Sequence, residues 1–387
     1  MKNFEFHNPT RIVFGTDTVA KLSTLVPQDA RVLILYGGAS AEKTGTLAEV
    51  RVALGLGQRT VQEFGGIEPN PSYETLMQAV AVVKSERIDF LLAVGGGSVV
   101  DGTKFIAAAA LHEGVAWDIL AKGGKIVEAA LPFGTVLTLP ATGSEMNGSA
   151  VITRKATQEK RSFMSRKVYP KFSVLDPSKT FTLPLRQVGN GVVDAFAHVM
   201  EQYLTYPVNA SVQDRFAEGI LLTLIEEGPK ALSQPDDYDV RANVMWSATL
   251  ALNGLIGVGV PQDWSTHAIG HELTALYELD HAQTLAIILP SMLRVRKQAK
   301  RAKLLQYAAR VWGLDGGDED GRIEAAIART EFFFRHMGVK TRLADYGLNH
   351  ASVDAVVSAL EAHGMTALGE QREITPAVSR KVLELSL

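Results

Sequence analysis

The feature that most constrains the fold is a series of short apolar runs in the first half of the chain, each ending in Gly or Pro. Four such runs occupy residues 31–36, 60–64, 89–94 and 135–138. Helical patterning separates them, in stretches 41–54, 72–86 and 98–110. This order predicts βαβ units and a parallel sheet covered on both faces. The run at 4–13 alternates between apolar and polar residues enough to predict an additional outer strand or a hairpin.

After about residue 185 the strand signal fades and helical patterning takes over. Seven stretches read as helices: 187–206, 209–227, 237–257, 262–277, 283–296, 298–312 and 320–337. Pro, Gly and short acidic loops separate them, with no low-complexity linker. We therefore predict two domains. An α/β domain with a Rossmann-like parallel sheet spans residues 1–182, and an all-α domain spans residues 183–387.

Two helical spacings in the second half indicate a metal site. Asp194 and His198 are four residues apart, and so are His267 and His271; His281 follows. Four residues are about one helical turn, so each pair presents both side chains on one face. Imidazole nitrogen and carboxylate oxygen are ligands that Zn²⁺ or Fe²⁺ accepts. A single pair of this kind is also typical of a solvated or hydrogen-bonded surface pair.

The distance along the chain tests this interpretation. His281 lies fourteen residues after His267, which along one straight helix is roughly 21 Å. The chain must therefore turn between them, and helical patterning weakens at residues 277–280. We predict that the four ligands are Asp194, His198, His267 and His281, and that His271 faces the open coordination position.

The glycine-rich turns of the first half predict a dinucleotide site. Gly95, Gly96, Gly97 and Ser98 follow the third apolar run and open a helix. Glycines there let the backbone N–H groups approach a phosphate at the helix N-terminus. The alternative is a tight strand–helix turn, and the GxGxxG fingerprint is absent. A second loop at 139–145 offers hydroxyl groups beside a glycine.

Composition excludes several classes of protein. With a net charge of −3, the chain lacks the excess of basic residues that is typical of proteins that bind nucleic acid or an anionic membrane. The chain contains no cysteine, so thiolate zinc sites and disulfides are excluded. No stretch approaches the roughly 20 apolar residues of a membrane span, and no signal-peptide pattern is present. We expect a cytoplasmic enzyme that acts on a small molecule.

Several motifs together resemble one family from end to end. They are Phe64-Gly65-Gly66-Ile67-Glu68-Pro69-Asn70-Pro71, the Gly95–Ser98 turn with Asp101, Thr142-Gly143-Ser144-Glu145, Asp176-Pro177, the Asp194/His198 pair and the segment that ends at His281. The chain is similar to the iron-type (group III) metal-dependent alcohol dehydrogenases, most of all to the NADPH-dependent aldehyde reductase or butanol dehydrogenase branch. The resemblance implies the dehydroquinate synthase-like fold, NAD(P), one divalent metal on the same four ligands and a homodimer.

The resemblance also implies the cofactor contacts. They map onto Gly37, Gly38, Ser40, Asn70, Gly95, Gly96, Gly97, Ser98, Asp101, Thr138, Thr142 and Lys160. NAD-preferring relatives place an aspartate just after the first strand, where it accepts from the adenosine ribose 2′-OH. Here that position is Gly37, which leaves room for a 2′-phosphate, and Ser40 can donate to that phosphate. We therefore expect NADP(H).

The expected reaction is hydride transfer from the nicotinamide to a metal-polarised carbonyl, which turns an aldehyde into a primary alcohol. His271 is the candidate for relaying the proton, or it only orients a ligand. A metalloprotease is excluded because Ala275 stands where HExxH needs its second histidine. Two alternatives stay open: a metal- and NAD-dependent lyase or synthase on the same scaffold, and a non-catalytic nucleotide-binding module.

Overall fold

The computed structural model describes residues 1–55 and 59–387. The chain forms two compact units. The sheet unit comprises His7–Leu183 and Gln234–Thr249, and the helical unit comprises Met1–Phe6, Pro184–Ser233 and Leu250–Leu387. The main boundary lies next to the division between residues 182 and 183 that the sequence predicts. Two segments, 1–6 and 234–249, lie in the unit opposite to the predicted one.

Over the residues that the structure describes, the sheet unit contains eight strands. They are β1 (Arg11–Phe14), β2 (Arg31–Tyr36), β3 (Thr60–Phe64), β4 (Phe90–Gly96), β5 (Phe133–Leu139), β6 (Ser149–Arg154), β7 (Glu159–Met164) and β8 (Phe172–Leu175). Six of them form a parallel sheet in the order β1-β8-β5-β4-β2-β3, and β6 and β7 form an antiparallel hairpin. The predicted parallel sheet is confirmed, whereas of the run at 4–13 only residues 11–13 lie in a strand.

The helices alternate with the strands in the sheet unit and make up most of the helical unit. They are α1 (Leu22–Leu25), α2 (Ser40–Lys43), α3 (Thr46–Gly55), α4 (Tyr73–Ser85), α5 (Gly97–Ala109), α6 (Asp118–Ala121), α7 (Leu185–Tyr203), α8 (Ser211–Ser233), α9 (Tyr238–Ala251), α10 (Ser265–Tyr277), α11 (His281–Val295), α12 (Arg301–Trp312), α13 (Glu319–His336), α14 (His350–Ala362) and α15 (Pro376–Leu385). Short 3-10 turns occupy Thr18–Lys21, Ser144–Met146, Lys155–Thr157, Arg166–Val168, Pro177–Thr180 and Ala344–Tyr346.

The central strands are mainly apolar because both faces of the sheet are covered. In β2, Leu33 and Leu35 pack into a cluster with α4 and α5. The alternate residues Val32 and Ile34 pack on the other face with α1 and α3. Successive side chains of a strand point to opposite faces, so a doubly covered strand needs a continuous apolar run. This requirement explains why the sequence located these strands correctly.

Local packing explains the two segments that depart from the predicted division. Met245 on α9 packs in one buried cluster with Leu137 and Leu175 of the sheet. Trp246 meets the ring of Phe14 edge-on, with 6.1 Å between the centroids. At the other end, the backbone N–H of Lys2 donates to the carbonyl of Gly259 at 2.9 Å, which attaches the first residues to the helical unit. Among the described residues, none of the helices combines the length and apolarity that a membrane crossing needs.

Candidate metal centre and cofactor loops

Helix α7 carries the first two predicted ligands on one face. Asp194 and His198 are both nearly completely buried, as their spacing of one turn on an inward face requires. One turn earlier on this face, Asn190 donates its amide to Asp280 Oδ2 at 2.8 Å. Arg186 forms an ion pair with the same carboxylate at 3.0 Å. These contacts tie the residue before α11 to the face of α7 that bears the ligands.

The predicted turn between His267 and His281 is confirmed. Helix α10 ends at Tyr277, and Glu278 takes a left-handed conformation with φ 55° that stops it. Asp280 then forms a capping box with Gln283, so α11 begins at His281. The chain reverses within three residues, which brings His281 back to His267: the two rings are 5.1 Å apart between centroids.

The four predicted ligands converge on one point. The ligand atoms of Asp194, His198, His267 and His281 all lie within 4.8 Å of one another. Asp194 Oδ1 is 3.7 Å from Nε2 of His198 and 3.7 Å from Nε2 of His281. Tetrahedral ligands at about 2.1 Å from a zinc ion are roughly 3.4 Å apart. Three imidazoles and one carboxylate at this spacing fit a divalent ion of the zinc or iron type.

Burial keeps one of the four ligands, His198, in the protonation state that binds metal. Burial lowers the pKa of His198 to about 4, although the carboxylate of Asp194 opposes that shift. His198 is therefore neutral at neutral pH, and only a neutral imidazole has a lone pair to offer. Its ring stacks on that of His267 with 4.7 Å between centroids.

His271 lies beside the ligand set and outside it. Its ring centroid is 5.3 Å from that of His281 and 6.4 Å from that of His267. His271 is half-buried, so solvent reaches it. Trp264 also lies beside the ligands: its ring centroid is 5.2 Å from that of His267 and 6.1 Å from that of His198. The structure thus places an accessible histidine and an aromatic wall next to the four ligands.

The first cofactor loop follows β2. Gly37 is half-buried, and a Cβ there would lie 3.1 Å from the carbonyl oxygen of Ile67. Gly38 and Ser40 are exposed, and a Cβ on Gly38 would have no neighbour within 4 Å. Ser40 opens α2. A side chain at 37 would therefore crowd the Ile67 carbonyl, whereas position 38 faces open space.

The second cofactor loop joins β4 to α5. The pairing of β4 with β5 shifts register between Gly95 and Gly96, and Ser98 is half-buried in the first turn of α5. A Cβ on Gly97 would lie 2.4 Å from Oγ1 of Thr142, so this glycine is required by the approach of the neighbouring loop. Close packing alone accounts for glycine at 97, and phosphate binding at this turn stays a prediction.

The other predicted cofactor residues are half-buried or lie below the surface. Thr138 is half-buried near the end of β5. Lys160 is buried on β7, so it is not a solvated surface lysine, and its Nζ donates to Asn70 Oδ1 at 2.8 Å. Asn70 has a left-handed backbone with φ 54°. The lysine is thus held at the turn that carries Asn70.

Asp101 has an internal role that the sequence did not reveal. Its carboxylate accepts from the Ser144 hydroxyl at 2.5 Å and from the backbone N–H of Val151 at 2.8 Å. The fully buried Lys104 donates to the same hydroxyl at 2.7 Å, and burial lowers the pKa of this lysine to about 8. Asp101 therefore anchors the loop that carries Thr142 onto α5; a direct contact with cofactor stays a prediction.

Comparison with known proteins identifies the family. The sequence profile described as iron-containing alcohol dehydrogenase matches residues 9–177. The profile for the C-terminal part of the Fe-containing alcohol dehydrogenase family matches residues 189–383. The chain belongs to the iron-containing alcohol dehydrogenase family. The two matches together span almost the whole chain, so the membership covers both the sheet unit and the helical unit.

Individual members of this family are similar over their full length. The NADPH-dependent aldehyde reductase YqhD of Escherichia coli strain K12 is 62% identical over 387 residues, with 99% of each chain covered. Probable NADH-dependent butanol dehydrogenase 1 of Bacillus subtilis strain 168 is 41% identical over 391 residues, with 100% of each covered. A crystal structure of E. coli K-12 YqhD has a TM-score of 0.98 and 60% identity, and covers 100% of this chain and 99% of that one. The resemblance seen in the motifs is confirmed.

One residue of the metal centre escaped the sequence interpretation. Glu201, on α7, is buried against His267 and forms a hydrogen bond with Nδ1 of that ring. Burial and the neighbouring Asp263 raise the pKa of Glu201. The sequence signals only that Glu201 shares a helical face with two ligands, because Asp194, His198 and Glu201 follow an i, i+4, i+7 spacing; its pairing with His267 is not encoded in that spacing.

Proposed function

We propose that this iron-type dehydrogenase catalyses the reversible, NADPH-dependent reduction of aldehydes to primary alcohols. The convergence of Asp194, His198, His267 and His281 within 4.8 Å is the observation that carries the proposal. The 62% identity to a protein described as an NADPH-dependent aldehyde reductase supports the cofactor and the direction. The aromatic wall formed by Trp264 favours uncharged aliphatic or aromatic aldehydes over anionic substrates.

The four side chains would hold one Zn²⁺ or Fe²⁺ ion. When bound, the ion supplies Lewis-acid polarisation of the carbonyl oxygen, and NADPH supplies the hydride. Asp194 contributes one negative charge and the imidazoles of His198, His267 and His281 contribute none, which leaves a net positive charge at the centre. Trp264 limits the access of water to the His198 and His267 side of the site.

The direct test uses metal-free protein reloaded with Zn²⁺ or Fe²⁺ and assayed with NADPH and butanal. We expect metal to restore consumption of NADPH and formation of butanol in equal amounts. Protein that binds NADPH and metal without consuming either substrate would be a nucleotide-binding module. Release of product without net oxidation of NADPH would instead indicate a lyase or synthase.

His271 is proposed as the group that donates the proton to the product oxygen and exchanges it with solvent. Its accessibility and its ring distance of 5.3 Å to His281 suit this role. We expect His271→Gln to keep its metal and to lose roughly a hundredfold in kcat, the usual contribution of general acid catalysis. Metal analysis and steady-state rates across pH check this outcome. Loss of metal in parallel with loss of kcat would instead make His271 a residue that orients a ligand.

The cofactor is proposed to bind at the ends of β2, β4 and β5 through the residues that the sequence singled out. Gly37 and Gly38 are proposed to leave room for the 2′-phosphate, which NADH lacks, and Ser40 is proposed to donate a hydrogen bond to it. Lys160, fixed by Asn70, is proposed to pair with a phosphate of the cofactor. The loop that joins β4 to α5 is proposed to contribute backbone N–H groups at the start of α5.

The protein is further proposed to be a homodimer that acts in the cytoplasm, where NADPH is supplied for reductions. One chain has a mass of 41.8 kDa, so the sedimenting species is expected to have twice that mass. Analytical ultracentrifugation at micromolar concentration measures this directly. A single species at the mass of one chain would contradict the dimer and leave the proposed reaction unaffected.

A further inference from the structure

We infer that Glu201 is the positioning residue of the metal centre, whose one carboxylate fixes both the ring and the backbone of His267. The inference rests on the proposed function, because it requires a metal at the four ligands. Glu201 lies three residues after His198 on α7 and is 3% exposed. The helix that supplies two ligands therefore also supplies the group that orients a third.

The contacts of this carboxylate all go to the start of α10. Oε1 accepts from the backbone N–H of Thr266 at 2.7 Å. Oε2 accepts from the backbone N–H of His267 at 3.1 Å and forms a hydrogen bond with Nδ1 of the same ring. The first turn of a helix has no internal acceptors for its N–H groups. Glu201, on another helix, supplies acceptors for two of these N–H groups and also contacts the side chain of His267.

These contacts determine which ring nitrogen can bind a metal. With Nδ1 of His267 held against a carboxylate, Nε2 is the nitrogen directed at the other three ligands. A ring flip would break the bond to Glu201 and turn Nε2 away. A carboxylate on the far nitrogen also raises the basicity of an imidazole ligand, and its removal typically weakens metal binding 10- to 100-fold.

Neighbouring buried groups fix the position of Glu201. The backbone N–H of Asp263 donates to the carbonyl of Glu201 at 2.9 Å, and Asp263 Oδ1 accepts from the N–H of Ser265 at 3.0 Å. The side chain of Lys300 is 3% exposed. Its Nζ forms an ion pair with Asp263 Oδ2 at 2.7 Å and donates to the carbonyl of Leu204 at 2.6 Å. The end of α7 and the start of α10 are therefore joined by buried hydrogen bonds next to the ligand.

The backbone between these contacts is strained. Trp264, the residue before α10, has φ 63° and ψ 8°, a left-handed conformation that bulky residues rarely adopt. Such a conformation persists only where the surroundings hold it. Asp263 on one side and the contacts of Glu201 with Thr266 and His267 on the other provide that restraint. The backbone around Trp264 is therefore held in one conformation by the contacts on either side of it.

The test compares Glu201→Gln with the wild-type protein, both stripped of metal and titrated with Co²⁺ against a competing chelator. We expect the dissociation constant for Co²⁺ to rise roughly 10- to 100-fold. The visible absorption of the Co²⁺ form should also change, because a reoriented imidazole alters the ligand field. These readouts do not depend on turnover, so they report the position of His267 itself.

Glu272→Gln is the matched control, because Glu272 is also a buried carboxylate on a histidine in the helical unit. It contacts Nδ1 of His363 at 2.8 Å, and His363 is not among the four ligands. Its Co²⁺ affinity and spectrum should equal those of the wild type. Equal losses in both variants, or none in Glu201→Gln, would overturn the inference.

Glu201→Asp decides the matter if the Gln variant does not fold. It keeps the carboxyl group and withdraws it by one methylene, so weaker Co²⁺ binding is again expected. Unchanged affinity in a folded Glu201→Asp protein would overturn the inference. Wild-type protein that binds no Co²⁺ would refute the proposed function itself, whereas wild-type affinity in the variants would refute only the role of Glu201.

Discussion

Replacing His267 with alanine is expected to remove the bound metal and to lower kcat/KM for butanal reduction by at least roughly a thousandfold. His267 supplies one of the four ligand atoms in the cluster, and the alanine side chain offers no donor in its place. Without the ion, nothing else described in the cluster can polarise the carbonyl. Elemental analysis of the purified variant and initial rates of NADPH oxidation measure both effects.

The control for this substitution is His350→Ala. His350 is an exposed histidine at the start of α14 in the same helical unit, and it is not among the four ligands. It should keep its metal content and its turnover. A His267→Ala protein with one equivalent of metal and wild-type rates would show that the assignment of this ligand is wrong.

The second large effect is expected at the cofactor. We expect Gly38→Asp to raise KM for NADPH by at least roughly tenfold through repulsion between the new carboxylate and the 2′-phosphate. NADH should be less affected or bind better, because a carboxylate can accept from the ribose 2′-OH. Position 38 is preferable to 37, since a Cβ on Gly38 meets nothing within 4 Å while one on Gly37 lies 3.1 Å from a carbonyl oxygen. Steady-state kinetics with both cofactors give the ratio.

Gly38→Asn separates charge from size in this experiment. The amide is nearly isosteric with the carboxylate and carries no charge, so KM for NADPH should stay close to the wild-type value. A similar loss in the Asn and Asp variants would mean that bulk, not charge, causes the effect. Wild-type preference for NADH over NADPH would contradict the underlying argument before any variant is made.

The sequence predicted those parts of the fold that follow from simple periodicity. The runs that became β2, β4 and β5 are mainly apolar because both faces of the sheet are covered there, whereas β3 is a partly exposed edge strand with polar residues. The strand β8 was missed although Phe172–Leu175, like the predicted run at 135–138, has four residues and a proline two residues after its end. The hairpin of β6 and β7 was missed because its polar residues, such as Arg161 and Ser162, hide a strand pattern. Helices α14 and α15 also lay beyond the stretches predicted.

The site was predictable to the extent that its residues share a helix. The spacing of Asp194 and His198 fixed one half of the cluster, and the distance to His281 required the turn that ends α10. The contact of Glu201 with His267 spans two helices, and no local pattern reports such a pairing. For the same reason, the packing of 234–249 onto the sheet could not be read from a pattern along the chain.

The central claim is that one divalent ion is held by Asp194, His198, His267 and His281. The most direct measurement is an anomalous difference map from crystals of the metal-loaded protein, with data collected on both sides of the absorption edge of the metal. The account predicts a single peak at about 2.0–2.2 Å from one atom of each of the four side chains. Absence of a peak among these side chains in fully loaded, active protein would contradict it.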